Sequence, residues 1–324
     1  MQPVANTTGG MTFGWIGTGR MGSAMARRLL EAGMDLAVYN RTPEKAEMLV
    51  MLGAALVDAA VDLAGRDVVF ITVASSDDLL EVMCGTGGLL TGPSAPSIVV
   101  DCTTVSSEAS ARARELAAAR DTAFLAAPVS GNPEVASAGK LTMAVSGPKR
   151  AFDAAYPFLA TVAGEVTYVG EGDVARLVKL CHNLLLGVVF QSLVEVTVLA
   201  EKGGVRRQDL LAFLNSSVMG SPFIGYKSRA LVDLDFSPTF TTRLLHKDFA
   251  LGLDAAAMLD TPMPLAALVH QLLQVGIGEG IGDKDFAALL QICARGARLE
   301  LEREETGAGE EAGGLPPSRT TEHA

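Results

Sequence analysis

Cysteine is scarce in this 324-residue chain, and Cys84, Cys102, Cys181 and Cys293 form no CxxC pair and no Cys/His ligand spacing. They read as buried or incidental thiols of a reducing compartment. The four histidines (His182, His246, His270 and His323) are not paired at ligand spacing with cysteine or carboxylates, so no metal site is expected. Positive charge is in deficit: 26 Lys and Arg stand against 37 Asp and Glu, a net charge of -11 with no basic cluster. Such a chain is poorly suited to gripping nucleic acid or an anionic membrane. Met1 to Thr12 carries no cationic stretch followed by an apolar one, which argues against a secretory signal. The most apolar run, Leu184–Phe190, meets Gln191 and Glu195 too soon to span a bilayer. These absences predict a soluble cytoplasmic protein with neither nucleic acid nor membrane as partner.

What is present is core-forming material: 49% of residues are hydrophobic and 19% charged. Phe13–Ile16, Leu36–Tyr39, Val68–Val73 and Ile98–Val100 read as strands, with helical stretches at Ser23–Glu31, Pro43–Met51, Asp77–Met83 and Ser106–Arg120 between them. Continuous apolar strands separated by helices predict a parallel sheet covered on both faces, a doubly wound α/β domain of Rossmann type. From Asp173 to Glu201 a proline-free apolar stretch predicts one long helix, ended at Lys202-Gly203-Gly204. Beyond it, Gln208–Ser216, Lys247–Leu259 and Pro264–Val275 read as helices without strand alternation. The expected organisation is therefore a frayed N-terminus at 1–11, a dinucleotide-binding domain at 12–172, an all-helical domain at 173–299 that begins with the interdomain helix, and a disordered acidic tail at 300–324.

Between the first strand and first helix lies Gly17-Thr18-Gly19-Arg20-Met21-Gly22, a G-x-G-x-x-G turn. Gly17 permits the tight turn, Gly19 the approach of a pyrophosphate, and Gly22 close helix–strand packing, while the helix N-terminus offers free N–H groups. The motif alone is weak; its place between strand and helix makes it specific. The second strand ends Asn40-Arg41-Thr42, with Lys45 a helical step further, where an NAD site places Asp or Glu. With no carboxylate to repel a 2′-phosphate and a guanidinium to bind it, NADP(H) is preferred and NAD(H) is the alternative.

Lys179, His182 and Asn183 share one face of the long helix at i, i+3 and i+4, among apolar neighbours. A lysine so placed is either snorkelling to water or tuned by burial toward general acid/base work. Ser130-Gly131-Asn132 follows the apolar segment Phe124–Ala127 and reads equally as a carboxylate cradle or as a plain turn. Asp101-Cys102-Thr103-Thr104 follows the Ile98–Val100 strand, at the edge where open α/β sheets bind ligands.

In order along the chain, GWIGTGRMGSAMARRLLEAG (14–33), NRTPEKA (40–46), DCTTVS (101–106), APVSGNPEVASAGKL (127–141), VKLCHN (178–183) and HKDFALGL (246–253) resemble the β-hydroxyacid dehydrogenase family. That family includes 3-hydroxyisobutyrate dehydrogenase, tartronate semialdehyde reductase and glyoxylate/succinic semialdehyde reductase. The resemblance implies that Lys179 is the acid/base, that Asn183 helps hold the substrate, and that Ser130 and Gly131, with Asn132 beside them, bind its carboxylate. Thr103, Val73 and Ala74 would line the nicotinamide pocket and Lys247 would reach the cofactor across the cleft. The Asn-Arg-Thr variant is associated with NADP, and a homodimer or homotetramer is implied.

Three positions depart from the family pattern: Asn132 replaces a glycine, Ala126 an aspartate and His182 an asparagine. The His-Asn pair is similar to that of 6-phosphogluconate dehydrogenase, whose acidic residue seven positions past the lysine is Leu186 here. The expected activity is hydride transfer between NADP(H) and a short-chain 3-hydroxy acid or its semialdehyde. The alternatives are an imine reductase-like NADPH enzyme and a non-catalytic NADP-binding module; the presence of Lys179 argues against both.

Overall fold

A computed structural model describes residues 10–304. The sheet is built from β1 (Thr12–Ile16), β2 (Asp35–Tyr39), β3 (Ala55–Leu56), β4 (Val68–Ile71), β5 (Ile98–Asp101), β6 (Ala123–Ala126), β7 (Val129–Ser130), β8 (Thr142–Ser146) and β9 (Glu165–Gly170). Their spatial order is β3-β2-β1-β4-β5-β6-β8-β7, with β9 paired to β8. Interleaved are α1 (Arg20–Glu31), α2 (Glu47–Met51), α3 (Ser76–Cys84), α4 (Ser107–Ala118), α5 (Pro133–Ser137) and α6 (Lys149–Val162).

Alternation along the central strands feeds two separate cores. Phe13, Trp15, Val68, Phe70 and Val100 point to the layer of α1 and α6, where Trp15 stacks on Phe70 with ring centroids 5.0 Å apart. Ile16, Val69, Ile71 and Val99 point to the opposite layer and meet Leu79 and Met83 of α3 and Ala113 and Ala117 of α4. Strands covered on both faces must read as unbroken apolar runs, which is why β1, β4 and β5 stand out in the sequence.

The parallel sheet expected from the sequence is present and carries an antiparallel edge. β1 to β6 are parallel, but β8 runs antiparallel to β6 and β7, and β9 follows β8. A parallel return requires a crossover, usually a full helix, and the link into β8 carries only the five-residue α5. Pro43–Met51 is not one helix but a 3₁₀ turn, Pro43–Ala46, leading into α2. β4 ends at Ile71 because the Val73 N–H leaves the ladder and donates to Thr103 Oγ1 at 3.1 Å.

The rest is helical: α7 (Val174–Lys202), α8 (Arg207–Ser216), α9 (Pro222–Asp233), α10 (Thr242–Met258), α11 (Pro264–Gly278) and α12 (Leu289–Gly296). At 1.5 Å per residue α7 is about 43 Å long. It is the one helix among the described residues long and apolar enough to cross a bilayer, and half of its most apolar stretch is buried inside the fold. Phe190 of this helix packs with Leu245, Phe249, Leu273 and Leu289 in the core that covers it. Two glycines set the distance between α7 and α10. A Cβ on Gly187 would lie 2.4 Å from the Phe249 ring, and one on Gly252 2.8 Å from Leu184.

The start of the expected tail, residues 300–304, is instead held on the helical region. Glu304 accepts from the Arg207 and Gln208 N–H groups at 2.7 and 2.8 Å, capping α8, and the buried Arg207 guanidinium donates to Glu302 O and to Glu201. The remainder of the tail, and residues 1–9 of the expected frayed N-terminus, lie outside the described residues.

Candidate active site

The strand order reverses between β1 and β4, so the turns after these strands diverge and leave a crevice at the sheet's carboxyl edge. Against it stand α7 and α10, and between them is a cavity of about 630 Å³. Lys179, Ser130, Gly131, Asn132, Asn183 and Thr103 all line it, as do Met21, Val73, Ala74 and Lys247. Gly17, Thr18, Gly19, Arg20, Gly22, Asn40, Arg41, Thr42 and Lys45 lie outside the lining, along the turn after β1 and the end of β2.

That turn fits a dinucleotide. Gly17 adopts φ +91°, and a Cβ there would strike Thr72 O at 2.1 Å, so only glycine closes the bend. A Cβ on Gly19 would meet nothing within 4 Å, which leaves space over the start of α1. No side chain caps that helix and no acid sits in its first turn, so its N–H groups and partial positive charge are available to a phosphate. The buried Thr18 hydroxyl has no partner among the described residues.

Asn40 is committed inward, its Oδ1 accepting from Thr18 N at 2.9 Å and its Nδ2 donating to Thr42 O at 2.8 Å. Arg41 is the outward group, with its side chain 83% exposed and 3.1 Å from Asp78. Arg20 reaches across the cleft and donates to Pro238 O at 2.8 Å. Lys247 does the same from α10, donating to Thr104 O at 3.1 Å and Ala74 O at 3.4 Å.

The base of α7 is locked to the sheet by a buried ion pair. Arg176 Nη2 meets Asp101 Oδ2 at 2.5 Å, Nε bonds Ser110 Oγ at 3.1 Å, and Nη1 donates to Thr103 O. Asp101 Oδ1 accepts from Thr103 N at 3.0 Å, so one carboxylate fixes both the loop after β5 and the helix that carries Lys179. Thr103 Oγ1 is occupied by Val73 N, and Asn132 Oδ1 by Val135 N at 2.9 Å as the cap of α5.

Lys179 is half-buried in the cavity wall. Burial pushes its pKa down to about 8; Asp248 pulls it up and Lys247 pushes it further down. Beside it runs a chain of contacts that ends at the sheet. Asn183 Nδ2 donates to Asp248 Oδ2 at 2.6 Å, Asn183 Oδ1 lies 2.9 Å from His182 Nδ1, and His182 Nε2 lies 3.0 Å from Ser130 Oγ. Asp248 is nearly fully buried, which raises its pKa, while Lys247, Lys179 and Asn183 oppose the rise.

Sequence reasoning missed Asp248 and Arg176. A signal for Asp248 existed: it falls with Leu245, Phe249 and Gly252 on the buried stripe of α10, where a carboxylate needs a partner. The polar residue types along Ser130–His182–Asn183 were visible, but their connection was not.

Residues 12–170 match the family described as the NAD binding domain of 6-phosphogluconate dehydrogenase, and residues 170–293 that described as NAD-binding of NADP-dependent 3-hydroxyisobutyrate dehydrogenase. An uncharacterized oxidoreductase of Bacillus subtilis is 34% identical over 87% of this chain and 99% of its own. Glyoxylate/succinic semialdehyde reductase 2 of Arabidopsis thaliana is 30% identical over 87% of this chain and 79% of its own. Among solved structures, 3-hydroxyisobutyrate dehydrogenase from Salmonella typhimurium superposes with a TM-score of 0.79 at 26% identity, covering 87% of this chain and 99% of its own.

Proposed function

Because the chain belongs to the β-hydroxyacid dehydrogenase family of NAD(P)-binding oxidoreductases, we propose that it interconverts a short-chain 3-hydroxy acid and the matching semialdehyde with NADP(H), using Lys179 as general acid/base. The observation that carries this reading is the Lys179 amine, held in the cavity wall with its pKa brought down to about 8. An amine so tuned exists in both protonation states near neutrality, as a group that must take and return a proton requires.

The turn Gly17–Gly22 would hold the pyrophosphate and Arg41, with Lys45, the 2′-phosphate, while Thr103, Val73, Ala74 and Lys247 would border the nicotinamide end. The nicotinamide, when bound, supplies the hydride acceptor or donor. The chain supplies the rest. In oxidation, neutral Lys179 Nζ takes the proton of the substrate hydroxyl; in reduction, the ammonium returns it to the developing alkoxide. Ser130 and the Gly131 N–H anchor the carboxylate, and Asn183 fixes the hydroxyl-bearing end, so the reacting carbon is placed and not merely bound.

The same reading makes the assembly a homodimer or homotetramer. Leu199, Val218 and Leu265 of the helical region are 72%, 100% and 64% exposed, apolar surface that a partner subunit would cover. The activity is tested by offering hydroxy acids with NADP⁺ and semialdehydes with NADPH to the protein and its Lys179→Ala variant. Turnover confined to the unsubstituted protein, with NADP(H) binding retained in both, is the expected result.

A further inference from the structure

The contacts from Asp248 to Ser130 fix where every proton must sit. With the Lys247 ammonium 3.5 Å from its other oxygen, Asp248 is read as a carboxylate, which only accepts, so its Oδ2 requires the amide Nδ2 of Asn183, 2.6 Å away. Asn183 therefore turns its carbonyl Oδ1 to His182, and Nδ1 of that ring, 2.9 Å away, must be the N–H donor. In the neutral imidazole Nε2 then carries only a lone pair, so across the 3.0 Å contact the Ser130 hydroxyl donates to it. Ser130 Oγ is left facing the cavity with lone pairs alone, the wrong polarity for the carboxylate it is read to anchor.

One proton reverses this. With Nε2 protonated, His182 donates to Ser130 Oγ, and the serine hydrogen is released into the cavity to donate to an anion. We propose that a substrate carboxylate binds at Ser130 together with a proton, which is taken up on His182 Nε2. The inference rests on the reading of Ser130 as the carboxylate anchor and adds the charge state that this anchor requires. It makes His182 a positioning residue, acting on the substrate through Ser130.

The surroundings favour the neutral ring in the absence of an anion. Burial lowers the His182 pKa, with a smaller push from Lys179, against a rise from its bond to Asn183. The other titratable groups lining the cavity are Lys179 on the same helix, Lys247 and Asp248 on α10, Tyr226 on α9 and Cys102 after β5. Burial pushes Tyr226 up to about 12 and Cys102 well above the usual thiol range, so both stay neutral. Asp248, the one carboxylate among these lining groups, is engaged by Asn183 and lies 3.5 Å from Lys247. A carboxylate entering beside Ser130 supplies the negative charge that an imidazolium there lacks.

The test follows His182 in NADP⁺-loaded protein labelled at histidine Cε1, using 3-hydroxypropionate as the probe and the His182→Asn variant to assign the signal. The expected result is that saturating 3-hydroxypropionate raises the His182 titration midpoint by at least one pH unit. In the same range KM for any hydroxy acid turned over should climb about tenfold per pH unit. His182→Asn, whose amide can still bond Ser130 but cannot titrate there, should abolish that climb, whatever the level of its turnover. An unmoved midpoint with ligand bound, or the same KM profile in both proteins, overturns the proton linkage and leaves the hydroxy acid reading standing. If no hydroxy acid or semialdehyde binds or turns over at any pH, the carboxylate reading and this inference fall together.

Discussion

Arg176 and Asp101 meet at 2.5 Å with both side chains buried from solvent, one turn of α7 ahead of Lys179. The pair joins the helix bearing the candidate acid/base to the loop bearing Thr103, so the cleft is set by a charge contact between the two halves. Removing one partner would strand the other. Arg176→Ala should therefore cost roughly 3–5 kcal/mol of unfolding free energy, read by denaturant titration. A loss under 1 kcal/mol would mean that the contact does not organise the junction.

The α7–α10 approach depends on Gly187, where a methyl group would press into the Phe249 ring. Gly187→Ala should lower stability by about 1–3 kcal/mol, seen as a fall in denaturant midpoint at unchanged slope. Because α10 also carries Lys247 and Asp248, turnover should drop with it.

Cofactor choice rests on Arg41. Arg41→Ala should raise KM for NADPH about tenfold or more while leaving that for NADH nearly unchanged, the scale expected for loss of a charged hydrogen-bonding partner. Asp78, 3.1 Å from the guanidinium, opposes a phosphate there, so Asp78→Asn should move the preference the other way, toward NADPH. Equal effects of Arg41→Ala on the two dinucleotides would remove Arg41 from the phosphate site.

Lys179 also ties stability to pH. Its folded pKa of about 8 lies below the ordinary lysine value of 10.5, so the unfolded chain binds more protons between those limits and stability from this group rises with pH across that window. Below pH 8 both states are protonated and the cost of holding the cation is present in full. Lys179→Met should thus be the more stable protein at pH 7, by on the order of 1–2 kcal/mol, and the advantage should shrink toward pH 10.5 as turnover stays lost. A constant difference across that range would contradict the lowered pKa.

How much of this was legible in the sequence follows from where each residue lies. β1, β4 and β5 are buried on both faces and carry polar residues only at their ends, Thr12 and Asp101; β8 and β9, TMAVS and EVTYVG, mix polar residues with apolar ones and pass for loop. α9 begins at Pro222 and breaks its apolar pattern with Lys227, whose ammonium is buried against Asp285 at 2.5 Å, a partner that no local pattern announces. The same holds for Arg176 and Asp101, 75 residues apart. Lys179, Asn183 and the glycine turn were legible because each stands in a short local motif with its own geometry; Asp248 left only the trace of a carboxylate on an apolar helix stripe, since its role exists only once α10 packs on α7.

The central claim is that the Lys179 amine moves the substrate proton. Its most direct test is the turnover of Lys179→Ala on an identified hydroxy acid or semialdehyde, with dinucleotide binding followed in parallel. The account predicts that NADP(H) affinity persists while most turnover disappears; undiminished turnover in the variant would contradict it.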